Sequence, residues 1–255
     1  DLQADEAVAD EVRTELDPSL SRFDDKRRQQ KLEIVAFGTI SSGKSSLLNA
    51  LAGRDVFATD PRGGTTVRRT ETPWPGLEKV TLVDTPGLGE VDGEQRAAIS
   101  TDAAKDAEVV LVAVDGPLRE AEHDLLARLG QMEKRIIVCL NKQDWYPDDD
   151  RRRLLDQLCE QVAPVATAQD VVAVRARPAT RTRIRVLPDG STTEGQVELA
   201  PDISPLADRL LQVVHGEGES LLLANLLLQS RGLVEEARRR VREALDRHAW
   251  QIVDR

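Results

Sequence analysis

The segment Gly38-Thr39-Ile40-Ser41-Ser42-Gly43-Lys44-Ser45 limits what this chain can fold into more than any other. It lies between an apolar, strand-like run, Lys31–Phe37, and a stretch of helical character, Lys44–Ala52. The string fits G-x-x-x-x-G-K-[ST] in the setting the pattern requires, after a strand and opening a helix. Its glycines let the backbone turn so tightly that successive N–H groups converge on an anion, and the helix N-terminus behind them adds a favourable dipole. Further short, β-branched apolar runs follow at Val80–Val83, Val109–Val114, Ile136–Leu140 and Val171–Val174, with helical stretches near 94–106, 118–130 and 150–162 between them. That alternation predicts an α/β domain with a mainly parallel sheet covered by helices on both faces.

The flanks follow other rules. In residues 1–30, Val8, Val12, Leu16, Leu20 and Phe23 recur at helical spacing, which predicts one amphipathic helix or two short ones broken near Pro18. Residues 177–201 alternate polar with apolar on both sides of Pro188-Asp189-Gly190, the pattern of an inserted β-hairpin with strands over Arg181–Leu187 and Thr192–Leu199. A helix capped by Asp202 or Ser204 is expected to run to His215, with Gly216 and Gly218 as a break before a long helix over Glu219–Val253. The expected division is 1–30 as a helical extension, 31–215 as the α/β domain and 216–255 as a C-terminal helix.

The phosphate chemistry follows from the first motif. Lys44 is placed to bridge the β- and γ-phosphates of a nucleoside triphosphate, and the Ser45 hydroxyl to bind magnesium. Ser41, Ser42, Gly43 and Ser46 complete the phosphate-binding segment. Asp84-Thr85-Pro86-Gly87 ends the strand Val80–Val83, where an acid holds magnesium and the Gly87 N–H reaches the γ-phosphate. Between them lies Arg62-Gly63-Gly64-Thr65-Thr66, a glycine-bearing loop in which Thr66, with Thr65 in reserve, would give the metal its second hydroxyl.

Asn141-Lys142-Gln143-Asp144 follows the strand Ile136–Leu140 and chooses the base. A carboxylate at Asp144 accepts hydrogen bonds from guanine N1–H and its exocyclic amine, and adenine has neither donor there. Asn141 is expected to reach guanine N7 or to brace the phosphate loop, and the Lys142 stem to cover the base plane. GTP and GDP are therefore the expected ligands, with Mg2+.

The ordered set GTISSGKS, Thr66, DTPG and NKQD resembles the translation-factor class of P-loop GTPases, nearest its Era/TrmE/septin-type group, over about residues 31–215. The resemblance implies a three-layer P-loop GTPase domain with a mainly parallel six-stranded sheet, and GTP hydrolysis as a molecular switch, with Lys44, Thr66 and Gly87 serving the reacting phosphate. It also implies a further base-contacting loop near Arg175-Ala176-Arg177, where only Ala176 matches. The long terminal helix resembles a bacterial Era-like group with a helical, often membrane-associated C-terminal region. Two positions depart from fast relatives. Where Ras-like enzymes orient the attacking water with a glutamine after DxxG, this chain has Leu88. Where potassium-activated relatives place a P-loop asparagine, it has Ser41, as dynamin-like GTPases do. Slow hydrolysis is expected, raised by dimerisation, by K+ or by a partner. The alternative expectation is a dynamin-like assembly protein whose terminal helices form a stalk.

A net charge of −10 gives no strong nucleic-acid signal. No run approaches the ~18 apolar residues that cross a membrane. Cys139 and Cys159 alone, with no secretory segment at the start, point to a reducing cytoplasm. The chain opens at Asp1 and its one methionine is Met132, so a longer protein is expected, whose membrane or ribosome contacts would lie outside this chain. His123, His215 and His248 are too widely spaced for a site, and Asp148–Asp150 reads as the charge bias of a helix start. Trp74, between two prolines, and Trp145 read as loop aromatics.

Overall fold

The computed structural model describes residues 2–59, 69–86, 103–186 and 192–253. Its strands and helices run β1 (Leu32–Phe37), β2 (Thr70–Trp74), β3 (Leu77–Asp84), β4 (Val109–Val114), β5 (Arg135–Leu140), β6 (Val171–Ala173), β7 (Ala179–Val186) and β8 (Thr192–Leu199), with α1 (Leu2–Gln29), α2 (Lys44–Ala52), α3 (Glu120–Gln131), α4 (Asp148–Val162) and α5 (Ser204–Val253).

β2, β3, β1, β4, β5 and β6 form one six-stranded sheet in that order. β3, β1, β4, β5 and β6 are parallel, and β2 is antiparallel to β3. The buried apolar runs explain the middle: every residue of β4 is buried, because helices cover both faces of a parallel sheet. α3 and α4 bury Leu125, Leu126, Leu129, Leu154, Leu158 and Val162 against Val110, Val112, Ile136 and Val138. Cys139, which alternates along β5 with the Val138 and Leu140 of this layer, is fully buried, and burial pushes its thiol pKa up, so it packs as a small apolar residue.

The sixth strand comes from a segment that reads as loop. β2 holds Pro73, and the register shifts between Pro73 and Trp74. Proline cannot donate to a ladder, so this strand sits at the sheet edge, the place that tolerates it. Trp74 is buried there, whereas Trp145 is exposed. The hairpin β7–β8 is a separate two-stranded sheet pairing Ala179 with Leu199 and Val186 with Thr192; its turn lies outside the described residues. Of the helix expected near 94–106, residues 103–106 are helical and the rest lies outside the described residues.

The expected break at Gly216 and Gly218 is absent: α5 runs without interruption for 50 residues. Glycine costs about 1 kcal/mol in a helix interior, which is a weak stop when the helix is held on both sides. A Cβ at Gly218 would stand 3.3 Å from the Leu32 side chain, so the missing side chain admits the start of β1. Likewise α1 continues through Pro18 as one helix.

The chain divides into two compact units, 32–218 and 1–31 with 219–255. In the second, α1 and the C-terminal part of α5 lie antiparallel. Val12 and Leu16 bury against Ala244, Arg240 donates to Glu15, and Arg247 donates to Glu11 at 2.6 Å.

At the N-terminal end of the sheet the first unit carries a charge cluster. The fully buried Asp170 accepts from Arg135 at 2.8 Å, from Arg209 at 2.8 Å and from the Thr167 hydroxyl at 2.6 Å, and Glu217 takes the rest of Arg135. Burial alone would raise the Asp170 pKa, but the hydrogen bonds from Arg135, Thr167 and Arg209 win and hold it down to about 2. The cluster ties β5 and β6 to the first turns of α5. A depressed carboxylate stabilises the fold fully above its unfolded pKa near 3.9, and that contribution disappears as pH falls through about 2. Asp170→Asn is therefore expected to cost ~2 kcal/mol at pH 7. Urea unfolding from pH 7 to pH 2.5 should show the gap between the two proteins closing below pH 4.

Candidate nucleotide-binding site

Loops leaving the C-terminal ends of β1, β3, β5 and β6 converge, as ligand loops do in an open α/β sheet. The loop after β1 needs backbone that few residues adopt: φ is +150° at Gly38, +66° at Ser41 and +90° at Gly43. Space is as short as conformation. A Cβ on Gly38 would lie 2.2 Å from the Ala113 carbonyl oxygen, and one on Gly43 would lie 2.3 Å from Asn141 Nδ2. Lys44 is buried at the start of α2 and donates from Nζ to the carbonyls of Gly38 at 3.2 Å and Thr39 at 3.1 Å. Its ammonium is thus held over the loop it belongs to, with its stem desolvated.

Ser45 Oγ donates to Asp84 Oδ2 at 2.6 Å, joining the helix start to the end of β3. An alcohol oxygen and a fully buried carboxylate are hard oxygen donors side by side, which suits Mg2+. Thr85 Oγ1 donates to the Ala36 carbonyl at 2.6 Å and fixes the loop that begins there. Thr65, Thr66, Gly87 and Leu88 lie outside the described residues. The chain leading toward Thr66 is anchored by Asn49, whose Oδ1 accepts from the Val56 and Phe57 amides and whose Nδ2 donates to the Phe57 carbonyl.

Asn141 is buried and links three loops. Its Nδ2 donates to the Ser42 carbonyl at 3.0 Å, and its Oδ1 accepts from the Ala176 N–H at 3.1 Å. Of the two roles open to Asn141 in the sequence, the structure shows the brace on the phosphate loop. The Ala176 amide is engaged by the same side chain, so what it turns toward a ligand is not that N–H. Lys142 adopts a left-handed conformation, pairs with Asp115 at 2.9 Å and lies over the Trp145 ring at 4.1 Å. Asp144 is half-buried in the short turn Gln143–Trp145, and among the described residues nothing pairs with its carboxylate. Ser46 Oγ accepts from Arg177 Nε at 2.9 Å. A cavity of about 410 Å³ opens beside it, between the end of α2 and the Ala176 loop, with Asn49, Arg54, Thr59 and Arg177 in its wall.

Several site residues do not declare themselves in the sequence. Asp115, at the end of β4, accepts from both Lys142 and Arg119 and so joins the base-side loop to the phosphate loop. Arg119 also donates to Thr39 Oγ1 at 2.6 Å, and the buried Glu122 accepts from that hydroxyl at 2.9 Å. Arg181, on β7, donates to the carbonyl of Asp144 at 3.1 Å. The acid ending the apolar run Val109–Val114 was the one available signal, since it repeats the placement of Asp84. Arg181 and Arg177 act across 37 and 131 residues of sequence, and no local pattern marks them.

Residues 33–142 match the family described as 50S ribosome-binding GTPase. The chain is 35% identical over 133 residues to GTPase Der of Mycobacterium avium, covering 49% of this chain and 28% of Der. It is 37% identical over 126 residues to the tRNA modification GTPase MnmE of Dechloromonas aromatica, covering 47% and 28%. To translation initiation factor IF-2 of Zymomonas mobilis it is 31% identical, covering 58% and 15%. The chain thus spans under a third of each of these three relatives. Among solved structures, Era in complex with MgGDPNP and nucleotides 1506–1542 of 16S ribosomal RNA is 25% identical, with TM-score 0.50 over 56% of this chain and 50% of that one. Aquifex aeolicus Era bound to GDP·AlF4− shares the fold at 24% identity, with TM-score 0.50 over the same shares. Over residues 33–142 and the surrounding sheet, the chain is thus similar to bacterial P-loop GTPases of the Era-like class.

Proposed function

We propose that this protein binds GTP and GDP with Mg2+ and hydrolyses GTP to GDP and phosphate as a molecular switch, slowly by itself. The observation that carries the reading is the half-buried Asp144 carboxylate, which no described residue pairs, held beside a phosphate loop through Asn141. A carboxylate kept partly out of water without a partner is costly, and guanine's N1–H and amine relieve that cost where adenine does not. MgGDPNP in the Era complex supports the same ligand set.

In this reading the amides of 38–45 hold the β-phosphate and Lys44 moves from its loop carbonyls to the β- and γ-oxygens. Ser45 and Asp84, with Thr66, would hold Mg2+, which when bound neutralises charge developing on the phosphates. Hydrolysis forms a bond from water oxygen to the γ-phosphorus and breaks the bond from that phosphorus to the β–γ bridging oxygen. The water's proton leaves to phosphate or solvent. Leu88 can neither accept nor donate, so the chain's own residues supply electrostatics and positioning but no group there to orient the water. The missing contribution would come from a second copy, from K+ beside Ser41, or from a partner. GTP would order the loops at Thr66 and Gly87, and GDP would release them.

A second reading, an assembly GTPase of dynamin-like logic, is favoured by one observation: α1 and the C-terminal part of α5 pair within a compact unit of their own. The free cysteines support a cytoplasmic setting. Era's complex with ribosomal RNA suggests a ribosomal process, but a net charge of −10 would leave such a contact to regions outside this chain.

Titration with fluorescent nucleotides should give GDP and GTP binding at least ~100-fold tighter than ADP and ATP. Asp144→Ala should lose about 100-fold for guanine nucleotides while its melting temperature stays within a few degrees. Equal affinity for adenine nucleotides in the wild type would end the proposal. Single-turnover hydrolysis at rising protein concentration, in KCl and in NaCl, should be well below ~1 s⁻¹ at low concentration and rise with at least one of concentration, K+ or added lysate factor. A fast rate indifferent to all three would contradict the shared-catalyst reading.

A further inference from the structure

In the helical unit, α5 leaves a row of large apolar side chains in water: Leu223, Leu227, Val234, Val241 and Leu245, between 38% and 70% exposed. They fall on one stripe. Leu223 to Val241 and Leu227 to Leu245 are each eighteen residues apart, five turns at 3.6 residues per turn, and the stripe is about 40° wide and ~33 Å long. The side that packs on α1 is a different one, marked by Ala237, Arg240 and Ala244. That packing is thin: among the described residues its buried apolar cluster is Val12, Leu16 and Ala244. Two helices sharing so small a core need another layer for stability.

The spacing of the stripe says what that layer is. Its steps are four, seven, seven and four residues, which read the same from either end. A second α5 laid antiparallel, with a two-fold axis at Val234, sets Leu223 against Leu245, Leu227 against Val241, and Val234 against itself. A two-fold interface requires this self-complementarity, and an unrelated partner does not. We infer that this face of α5 is a homodimer interface, formed antiparallel about Val234 and independent of nucleotide. Five side chains so exposed leave on the order of 400 Å² of apolar surface per copy, the size of patch that marks an interaction site. Pairing removes roughly twice that, and the stems of flanking residues bring the total near the ~1,200 Å² of a small specific interface. Charge on the flank fits the register. Glu235, bonded to Arg238 at 3.0 Å, comes within about 3 Å of axial rise of Arg231 of the second copy, so one carboxylate lies between the two arginines that pairing brings together.

The full chain carrying Cys159→Ser, so that only an introduced thiol is accessible, provides the test. Light scattering behind size exclusion, with GDP and without nucleotide, should give twice 28.1 kDa at micromolar concentration. Under mild oxidation Val234→Cys should cross-link to itself. Leu223→Cys and Leu245→Cys should each fail alone and cross-link when mixed. Leu227→Glu with Val241→Glu should give a monomer with unchanged GDP affinity. A wild-type monomer at all concentrations would overturn the inference, as would like-with-like cross-linking at all three positions, which is parallel pairing. So would a monomer that co-sediments with phosphatidylcholine–phosphatidylglycerol vesicles, which assigns the stripe to lipid, or a dimer that survives the two glutamates. None of these readouts depends on hydrolysis, so failure here leaves the nucleotide reading standing, and failure there leaves this one.

Discussion

The bridge made by Asn141 is the interaction on which the site depends. One buried amide, donating to the Ser42 carbonyl and accepting from the Ala176 N–H, fixes three loops that leave three different strands. An amide side chain is suited to this, because it carries a donor and an acceptor on one rigid plane. Aspartate at this position would meet a carbonyl with a carboxylate, and alanine would leave two buried backbone groups unsatisfied, each at a cost of ~1–3 kcal/mol. The bridge also explains Gly43: the side chain that braces the loop occupies the space a Cβ would need. Glycine serves the backbone conformation and the close approach together.

A second, charged layer supports the first. Asp115 holds Lys142 with one oxygen and Arg119 with the other, and Arg119 reaches the Thr39 hydroxyl, which bonds the buried Glu122. The phosphate side and the base side of the site are therefore joined twice, once by a neutral amide and once by an ion-pair chain. Preorganisation of this kind is what an electrostatic catalyst requires, since dipoles already in place cost no rearrangement when the ligand's charge arrives. Asp170 with Arg135 and Arg209 does the corresponding work at the far end of the sheet, where it holds α5 and not a ligand.

How much of this the sequence disclosed depended on the range over which each signal acts. The phosphate loop and the base loop were legible because their chemistry is written in contiguous residues behind an apolar strand, and α2 begins and ends where its pattern predicts. β2 was not, because Thr70–Trp74 is short, contains a proline, and becomes a strand only by pairing with β3 at the sheet edge. Trp74 was misread with it, since its burial comes from that pairing and not from its neighbours. Gly216 and Gly218 misled in the opposite direction: local propensity favours a break by about 1 kcal/mol each, and packing of Leu206, Leu210, Val213 and the Leu32 contact outweighs it. Arg177, Arg181 and the reach of Arg119 to Thr39 act through contacts that exist only after the sheet has assembled.

Ser45 and Asp84 illustrate why binding and turnover would separate in the proposed reading. Their 2.6 Å hydrogen bond puts the two hard oxygens in place before any ligand arrives, and Lys44 is likewise already desolvated over its own loop. Groups so placed would stabilise charge that is present in both the ground state and the transition state of a bound nucleotide, and so would secure it more than accelerate its cleavage. The extra stabilisation that raises a rate comes from contacts made only as the water attacks. In the proposed reading the residue that follows Asp84-Thr85-Pro86-Gly87 in sequence, Leu88, would add none, because its side chain neither donates nor accepts a hydrogen bond.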